Sequence, residues 1–415
     1  MSRILFVHNN FPAQFGFLAE AFARRGASCA AIASPTGRAV GRIPLARYRL
    51  DRGSTPGLFG PATRAEADLL RADAAARAAC ALRDKGFSPD LVIGHPGWGE
   101  TVFLRQIFPD ARQILYGEFY YHPVGVDTGF DPEFGPVSPA ERLRIHAKNA
   151  TAALAYLDAD RIVAPTAFQG GLLPAVFQRG LRVIHEGVDT HRVRPASPER
   201  VVLPDGTALQ PGTPIVTFVN RRFEPMRGFH TFMRALPALF ERVPQARAVL
   251  IGADQGAGYG LPAGEGVTWK TRMLAELEGR IDTSRLHWTG VLPAPAMHAI
   301  LRLGAAHVYL TYPFALSWSM LEAMALGCLL IGSRTAPVEE VIRDGVNGRL
   351  VDMFDPAELA DALVQACARP PGHEALRAAA RRTVEERYDR ARLCLPAWER
   401  LVDEVLSEAR RASPQ

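Results

Sequence analysis

The chain has 415 residues, 48% hydrophobic and 22% charged, with a formal net charge of +5; this excludes a disordered or fibrous chain and exceeds one ordinary core, so two domains of roughly 200 residues each are expected. The positive charge is almost all arginine, with lysine only at Lys85, Lys148 and Lys270, and it is scattered. That excludes a nucleic-acid binder and leaves anionic small molecules, or peripheral contact with an anionic membrane surface, as partners. No apolar run is long enough to span a bilayer, and Ile4–Val7 is too short for a secretion signal. The five cysteines (Cys29, Cys80, Cys328, Cys367, Cys394) show no Cys-x-x-Cys spacing, so no metal or disulfide framework is expected and a cytoplasmic setting is.

In chain order, the first half alternates strands and helices. Strands are predicted over Ile4–His8, Ser28–Ala33, Leu91–Gly94, Gln113–Tyr116, Arg161–Ala164 and Val183–Glu186, with helices over Phe15–Arg25, Glu66–Lys85 and Pro139–Leu157. Residues 196–214 are rich in Pro, Gly and Ser, with a turn at Leu203–Thr207, and read as an interdomain linker with room for a small hairpin. A second alternation follows: strands Ile215–Val219, Ala248–Gly252, Leu286–Gly290 and His307–Leu310, and helices Gly228–Arg242 and Pro295–Ala305. Glu358–Cys367 and Glu374–Arg411 read as helical, with a break near Leu395–Pro396. Alternation of this kind implies two parallel, doubly wound sheets. The domains are placed at 1–195, joined by the helix at 386–415, and at 196–385.

The richest segment is Pro313–Ser333, PFALSWSMLEAMALGCLLIGS. A loop with Ser317 and Ser319 opens a helix, Met320–Leu326; Gly327 ends it, and Cys328–Ile331 is a buried strand. Unpaired N–H groups at such a helix start suit a phosphate or sugar hydroxyls, and Glu322, placed in the first turn, can accept from a ribose diol. Ser319-x-x-Glu322 is equally a capping box, which requires no ligand. The residues alone leave both readings open.

LEAMALGCLLIGS followed by APVEEVIRDGVNGRLV resembles the donor-binding signature of family 4 glycosyltransferases (glycosyl transferases group 1) of the GT-B fold. The resemblance implies two Rossmann-like domains facing each other across a cleft, with a C-terminal helix crossing back to the first. It covers nearly the whole chain and is strongest over Thr217–Ala235 and His287–Val351. In the family two glutamates frame the loop; the second matches Glu322, while Phe314 stands where the first is expected. In FVNRRFEPMRGFHTFMRALP, Arg222 matches an arginine and Arg227 replaces a lysine that together hold the donor diphosphate. An arginine there keeps the charge and can grip phosphate oxygens in a bidentate manner, and positive charge helps a leaving diphosphate. Val291, after Gly290, stands where the family's backbone reads the nucleobase, and the amides of Ser317 and Trp318 complete the donor set.

In PDLVIGHPGWGE, His95 follows a strand and matches a histidine that many members keep near the donor sugar; an imidazole can donate to a hydroxyl or move a proton. Glu118 and His122, in YGEFYYHP, are flanked by aromatics as in carbohydrate sites. Asn10 and Gln14, in HNNFPAQFGF, stand where the family has a Gly-Gly loop and are acceptor-side candidates. Thr166 reads as an N-cap.

The expected function is transfer of a sugar from a nucleoside-diphosphate sugar, of UDP or GDP type, to a carbohydrate, lipid-linked or small-molecule acceptor. Family membership implies a reaction without metal or other cofactor and with retention at the anomeric carbon. A nucleotide-sugar epimerase of the same fold and a non-catalytic nucleotide-sugar-binding subunit are the alternatives.

Overall fold

The computed structural model of the chain describes residues 2–256, 258–369 and 372–412. The chain forms two compact units: Met1–Glu186 with Ala391–Gln415, and Gly187–Arg390. The changeovers thus fall at 186/187 and 390/391, where sequence texture placed them at 195/196 and 385/386. The reason is local pairing: the Val188 amide donates to the Tyr388 carbonyl at 2.7 Å and the Arg390 amide to Val188 at 2.9 Å, which ties the start of the second unit to its end.

The first unit holds a seven-stranded parallel sheet of β1 (Arg3–Val7), β2 (Ser28–Ala33), β3 (Leu45–Arg47), β4 (Leu91–Gly94), β5 (Arg112–Tyr116), β6 (Arg161–Ala164) and β7 (Leu181–Val183), in the order β3-β2-β1-β4-β5-β6-β7. Central strands such as β1 and β4 are apolar along their length because both faces are buried. Strand β3 is three residues long and partly exposed, so no apolar run announced it. The last strand begins two residues and ends three residues before the expected Val183–Glu186. The helix expected over Pro139–Leu157 is two, Pro139–Ala147 and Ala150–Leu157. Asn149 sits at the break, its side chain accepting from the Tyr121 amide at 2.9 Å and donating to the Tyr121 carbonyl at 2.8 Å.

The second unit opens with the antiparallel hairpin β8 (Val201–Val202) and β9 (Ala208–Leu209), within the expected linker. Its six-stranded parallel sheet comprises β10 (Ile215–Arg222), β11 (Arg247–Ala253), β12 (Leu286–Gly290), β13 (Ala306–Tyr309), β14 (Leu330–Ser333) and β15 (Arg349–Val351), ordered β12-β11-β10-β13-β14-β15. The helix Phe229–Arg242 buries Phe229, Phe232, Met233, Leu236 and Phe240, the stripe a 3.6-residue period dictates.

The last helix, Leu395–Ala412, belongs to the first unit: Trp398, Leu401, Val402 and Val405 share a core with Phe6, Phe11, Phe15 and Val163. The preceding helix ends at Arg387, Tyr388–Asp389 is non-helical, and a π turn over Arg390–Cys394 then runs directly into the last helix, so the irregularity expected near Leu395–Pro396 is a change from π to α geometry.

Candidate active site

Each sheet reverses its strand order once, between β1 and β4 in the first unit and between β10 and β13 in the second. Doubly wound sheets bind ligands beyond the carboxyl ends of the strands at such a reversal. The polar clusters of each unit lie there.

In the first unit His8 follows β1 and His95 follows β4. The His95 Nδ1 accepts from the Gly97 amide at 3.0 Å, so a neutral ring carries its proton on Nε2, which faces a Glu118 carboxylate oxygen at 3.3 Å. Gly97 is required for this turn, since a Cβ there would lie 2.6 Å from the imidazole Cε1. The other Glu118 oxygen accepts from Gln14 Nε2 at 3.1 Å. His8, Trp98 and Tyr116 wall the His95 ring at centroid distances of 5.1, 4.7 and 5.7 Å. Burial, reinforced by the neighbouring His95, holds the His8 pKa well below the ordinary imidazole value, and its Nδ1 accepts from the Asn10 amide at 2.9 Å.

Of the acceptor-side candidates, Gln14 and Glu118 therefore join His95 in one chain of hydrogen bonds. Asn10 reaches the group only through its backbone, while its side chain takes the Thr36 hydroxyl at 2.7 Å. His122 stands apart, its Nε2 bonded to the Leu172 carbonyl at 2.8 Å, a loop-bracing role. Thr166 caps its helix as expected, accepting from the Gln169 amide at 3.1 Å.

In the second unit Arg222 ends β10, past a register shift in its pairing with β11, and its guanidinium donates to the Gln255 carbonyl. Arg227 lies one turn on, buried, with Nη1 2.7 Å from the Thr311 hydroxyl and 3.3 Å from that of Tyr309, and Nη2 3.1 Å from the Ala315 carbonyl. The Tyr309 hydroxyl, at the end of β13, also accepts from the Ser317 amide at 2.7 Å. One hydroxyl thus couples the arginine to the start of the helix Trp318–Ala325. Arg227 places three of its hydrogen-bond contacts on these groups and a guanidinium has five N–H donors, so capacity for an anion remains.

That helix begins earlier than expected. Ser317 is the N-cap, accepting weakly from the Ser319 amide at 3.4 Å and lying 3.1 Å from the Ser319 hydroxyl. The capping box proposed for Ser319 and Glu322 is therefore not formed, and Glu322 falls in the second turn, not the first. Its carboxylate faces His298 Nε2 at 3.2 Å. Phe314 is buried at 5% exposure, its ring 5.3 Å from both the Arg227 guanidinium and the Tyr259 ring. Trp318 and Val291 are exposed, at 46% and 75%.

Sequence reasoning passed over His8, Glu224, Tyr259, His298 and Tyr309. His8 and Tyr309 were findable, because each stands at the carboxyl end of a strand beside a reversal. His298 lies 24 residues from Glu322 and gave no local signal.

One family model, described as Glycosyl transferase family 4 group, matches residues 25–193, and another, Glycosyl transferases group 1, matches residues 213–369. The chain belongs to the family 4, group 1 glycosyltransferases. The chain is 28% identical over 213 residues to a D-inositol 3-phosphate glycosyltransferase of Nocardia farcinica, covering 50% of the chain and 44% of the relative. It is 26% identical over 281 residues to that of Saccharomonospora viridis, covering 66% and 60%. The chain spans about half the length of the curated relatives it matches. Among solved structures it is similar to sucrose-phosphate synthase from Thermosynechococcus elongatus, with TM-score 0.73, 17% identity and coverage of 98% and 100% of the two chains. It is also similar to Anabaena HepE in complex with UDP-glucose, with TM-score 0.65, 16% identity and coverage of 98% and 100%. These likenesses establish the GT-B class of fold for this glycosyltransferase.

Proposed function

We propose that this glycosyltransferase moves a sugar from a nucleoside-diphosphate sugar of UDP or GDP type to a carbohydrate, lipid-linked or small-molecule acceptor. The observation that carries the reading is the Tyr309 hydroxyl, which holds the buried Arg227 and the Ser317 amide together at the strand reversal of the second unit. A fixed cation beside a helix start is a ready cradle for a diphosphate. Arg227 and Arg222 supply the charge that offsets the leaving diphosphate, so the reaction proceeds without metal. Glu322 accepts from the ribose or sugar hydroxyls, and the protein exchanges its His298 contact for the ligand. His95, oriented through Gly97 and Glu118, donates to a donor-sugar hydroxyl, and the anomeric configuration is retained.

The test is a thermal-shift screen of the full chain against UDP-, GDP-, dTDP- and ADP-sugars. A ligand at a hundred times its dissociation constant stabilises by about 2.7 kcal/mol, so the true donor raises the melting temperature clearly. No shift with any of the four would overturn the proposal. The anomer of the transferred sugar, read by NMR, tests retention separately.

A further inference from the structure

The second unit presents an aromatic pair, Tyr259 on Phe314, beside the arginines of the proposed diphosphate cradle. It is built by Glu224, which lies between those arginines in the chain and is 4% exposed. One Glu224 oxygen accepts from the Tyr259 amide at 2.9 Å and from the Gly260 amide at 2.8 Å. A Cβ at Gly258 would stand 2.3 Å from that oxygen, so the segment can approach the carboxylate this closely only with glycine there. A buried carboxylate that accepts two backbone N–H groups fixes the backbone it serves.

What it fixes is the direction of Tyr259. The ring lies 5.3 Å from Phe314, tilted by 48°, and the hydroxyl accepts from Arg221 Nη1 at 3.1 Å. The side chain is nevertheless 53% exposed. A large ring held at its base and tip, flanked by Phe314 and by the Arg221 guanidinium 6.0 Å from its centroid, and still half exposed, has little rotamer freedom left to lose on binding. Phe314, which replaces the acid expected at that place, is buried and in contact with Arg227. Of these two rings the one available to a ligand is therefore Tyr259, with Phe314 beneath it as support.

We infer that Tyr259 is a donor-selecting residue whose ring takes the C–H face of the donor sugar, and that Glu224 is the positioning residue that sets it there. The inference rests on the second unit being a nucleotide-sugar site. The chemical class that fits is a sugar with an apolar edge, a 6-deoxyhexose above all. The position that would accept hydrogen bonds from sugar hydroxyls carries a ring instead, and aromatic surface gains most from buried C–H groups.

The experiment is calorimetric binding of UDP, UDP-glucose and UDP-rhamnose to the full chain, with GDP, GDP-mannose and GDP-fucose as a second matched set, so that the nucleotide is constant within each comparison. The 6-deoxy donor is expected to bind more tightly than its hydroxylated counterpart. Tyr259→Ala should weaken the 6-deoxy donor about tenfold while leaving the free nucleotide within about twofold. Tyr259→Phe should retain the preference. Glu224→Ala should reproduce Tyr259→Ala, and Glu224→Gln, which keeps an acceptor oxygen, should restore most of the preference, as a merely structural role would not. Equal losses for free nucleotide and both sugars, or no loss with Tyr259→Ala, overturn the inference while leaving the nucleotide site standing. Absence of binding by every nucleotide and nucleotide sugar overturns the underlying site reading, and the inference falls with it.

Discussion

The Arg227 guanidinium lies over the ring of Phe314, 5.3 Å from its centroid. This cation–π contact is an attraction of about 0.5–2 kcal/mol depending on desolvation. Arg227 stays in place because Tyr309, Thr311 and the Ala315 carbonyl hold its N–H groups. Phe314→Glu would put an acid against this buried cation and supply an acceptor for sugar hydroxyls. Donor preference should move toward the hydroxylated sugar by about tenfold, with free-nucleotide affinity within about twofold. Binding titrations with matched donors check this, and uniform loss across donors would refute it.

Arg227 itself can be separated into charge and geometry. Arg227→Ala should lower kcat by about 10²–10³, the cost typical of removing one donor to developing negative charge. Arg227→Lys keeps the charge but not the planar fork that reaches Thr311 and Ala315, so an intermediate loss is expected. Steady-state rates, with melting temperature as a control for folding, decide between them.

In the first unit, His95→Gln should cost about 10² in kcat if the imidazole acts on the reacting sugar. Glu118→Gln leaves an acceptor but removes its charge, and Gln14→Ala frees one carboxylate oxygen, so each should act less strongly than loss of the ring. Gln14→Ala falling as far as His95→Gln would contradict the order of the chain Gln14–Glu118–His95.

Stability should fall in mild acid through a residue remote from this chemistry. His307, in the middle of the second sheet, bonds the Thr217 hydroxyl at 3.0 Å, and burial lowers its pKa from 6.5 to about 4. Below 6.5 the unfolded chain takes up a proton that the folded chain refuses. The contribution is therefore complete above pH 6.5 and is lost as pH falls toward 4, by at most about 1.4 kcal/mol per pH unit and about 3 kcal/mol in all. Urea unfolding of the wild type and His307→Gln between pH 7 and 4.5 should show a shallower decline in the variant, whatever its stability at pH 7. Parallel curves would exclude His307 as the source.

Metal independence has a direct check. Turnover should be unchanged by excess EDTA and by subsequent magnesium or manganese, because the proposal assigns the diphosphate charge to Arg222 and Arg227. Loss of activity with EDTA and recovery with a divalent cation would reverse that assignment.

The strand and helix alternation was legible because buried parallel strands are short, mainly apolar runs, as in Leu91–Gly94 and the Ile4–Val7 part of β1. The position of Arg222 and Arg227 in the passage from β10 to the next helix was legible from the strand-to-helix pattern. What stayed hidden depends on distance along the chain. Glu224 gains meaning only from Tyr259 and Gly260, thirty-five residues on, and His298 from Glu322. The helix start was misplaced because Ser317 and Ser319 are equally good caps by type, and the backbone chose the first. The split at Asn149 likewise required knowing that Tyr121 would lie beside it.

The final helix contributes Trp398, Leu401, Val402 and Val405 to a core otherwise made by residues before 187. During synthesis the first half of the protein therefore leaves the ribosome with part of its interior exposed to water, and it stays so while the whole second unit is made and is free to fold. Completion runs out of order: the part begun first is sealed by a helix made only after the second unit. Truncation just before Leu395 would strip the second unit of nothing, yet leave the first with an open apolar groove and ready for capture by chaperones or proteases.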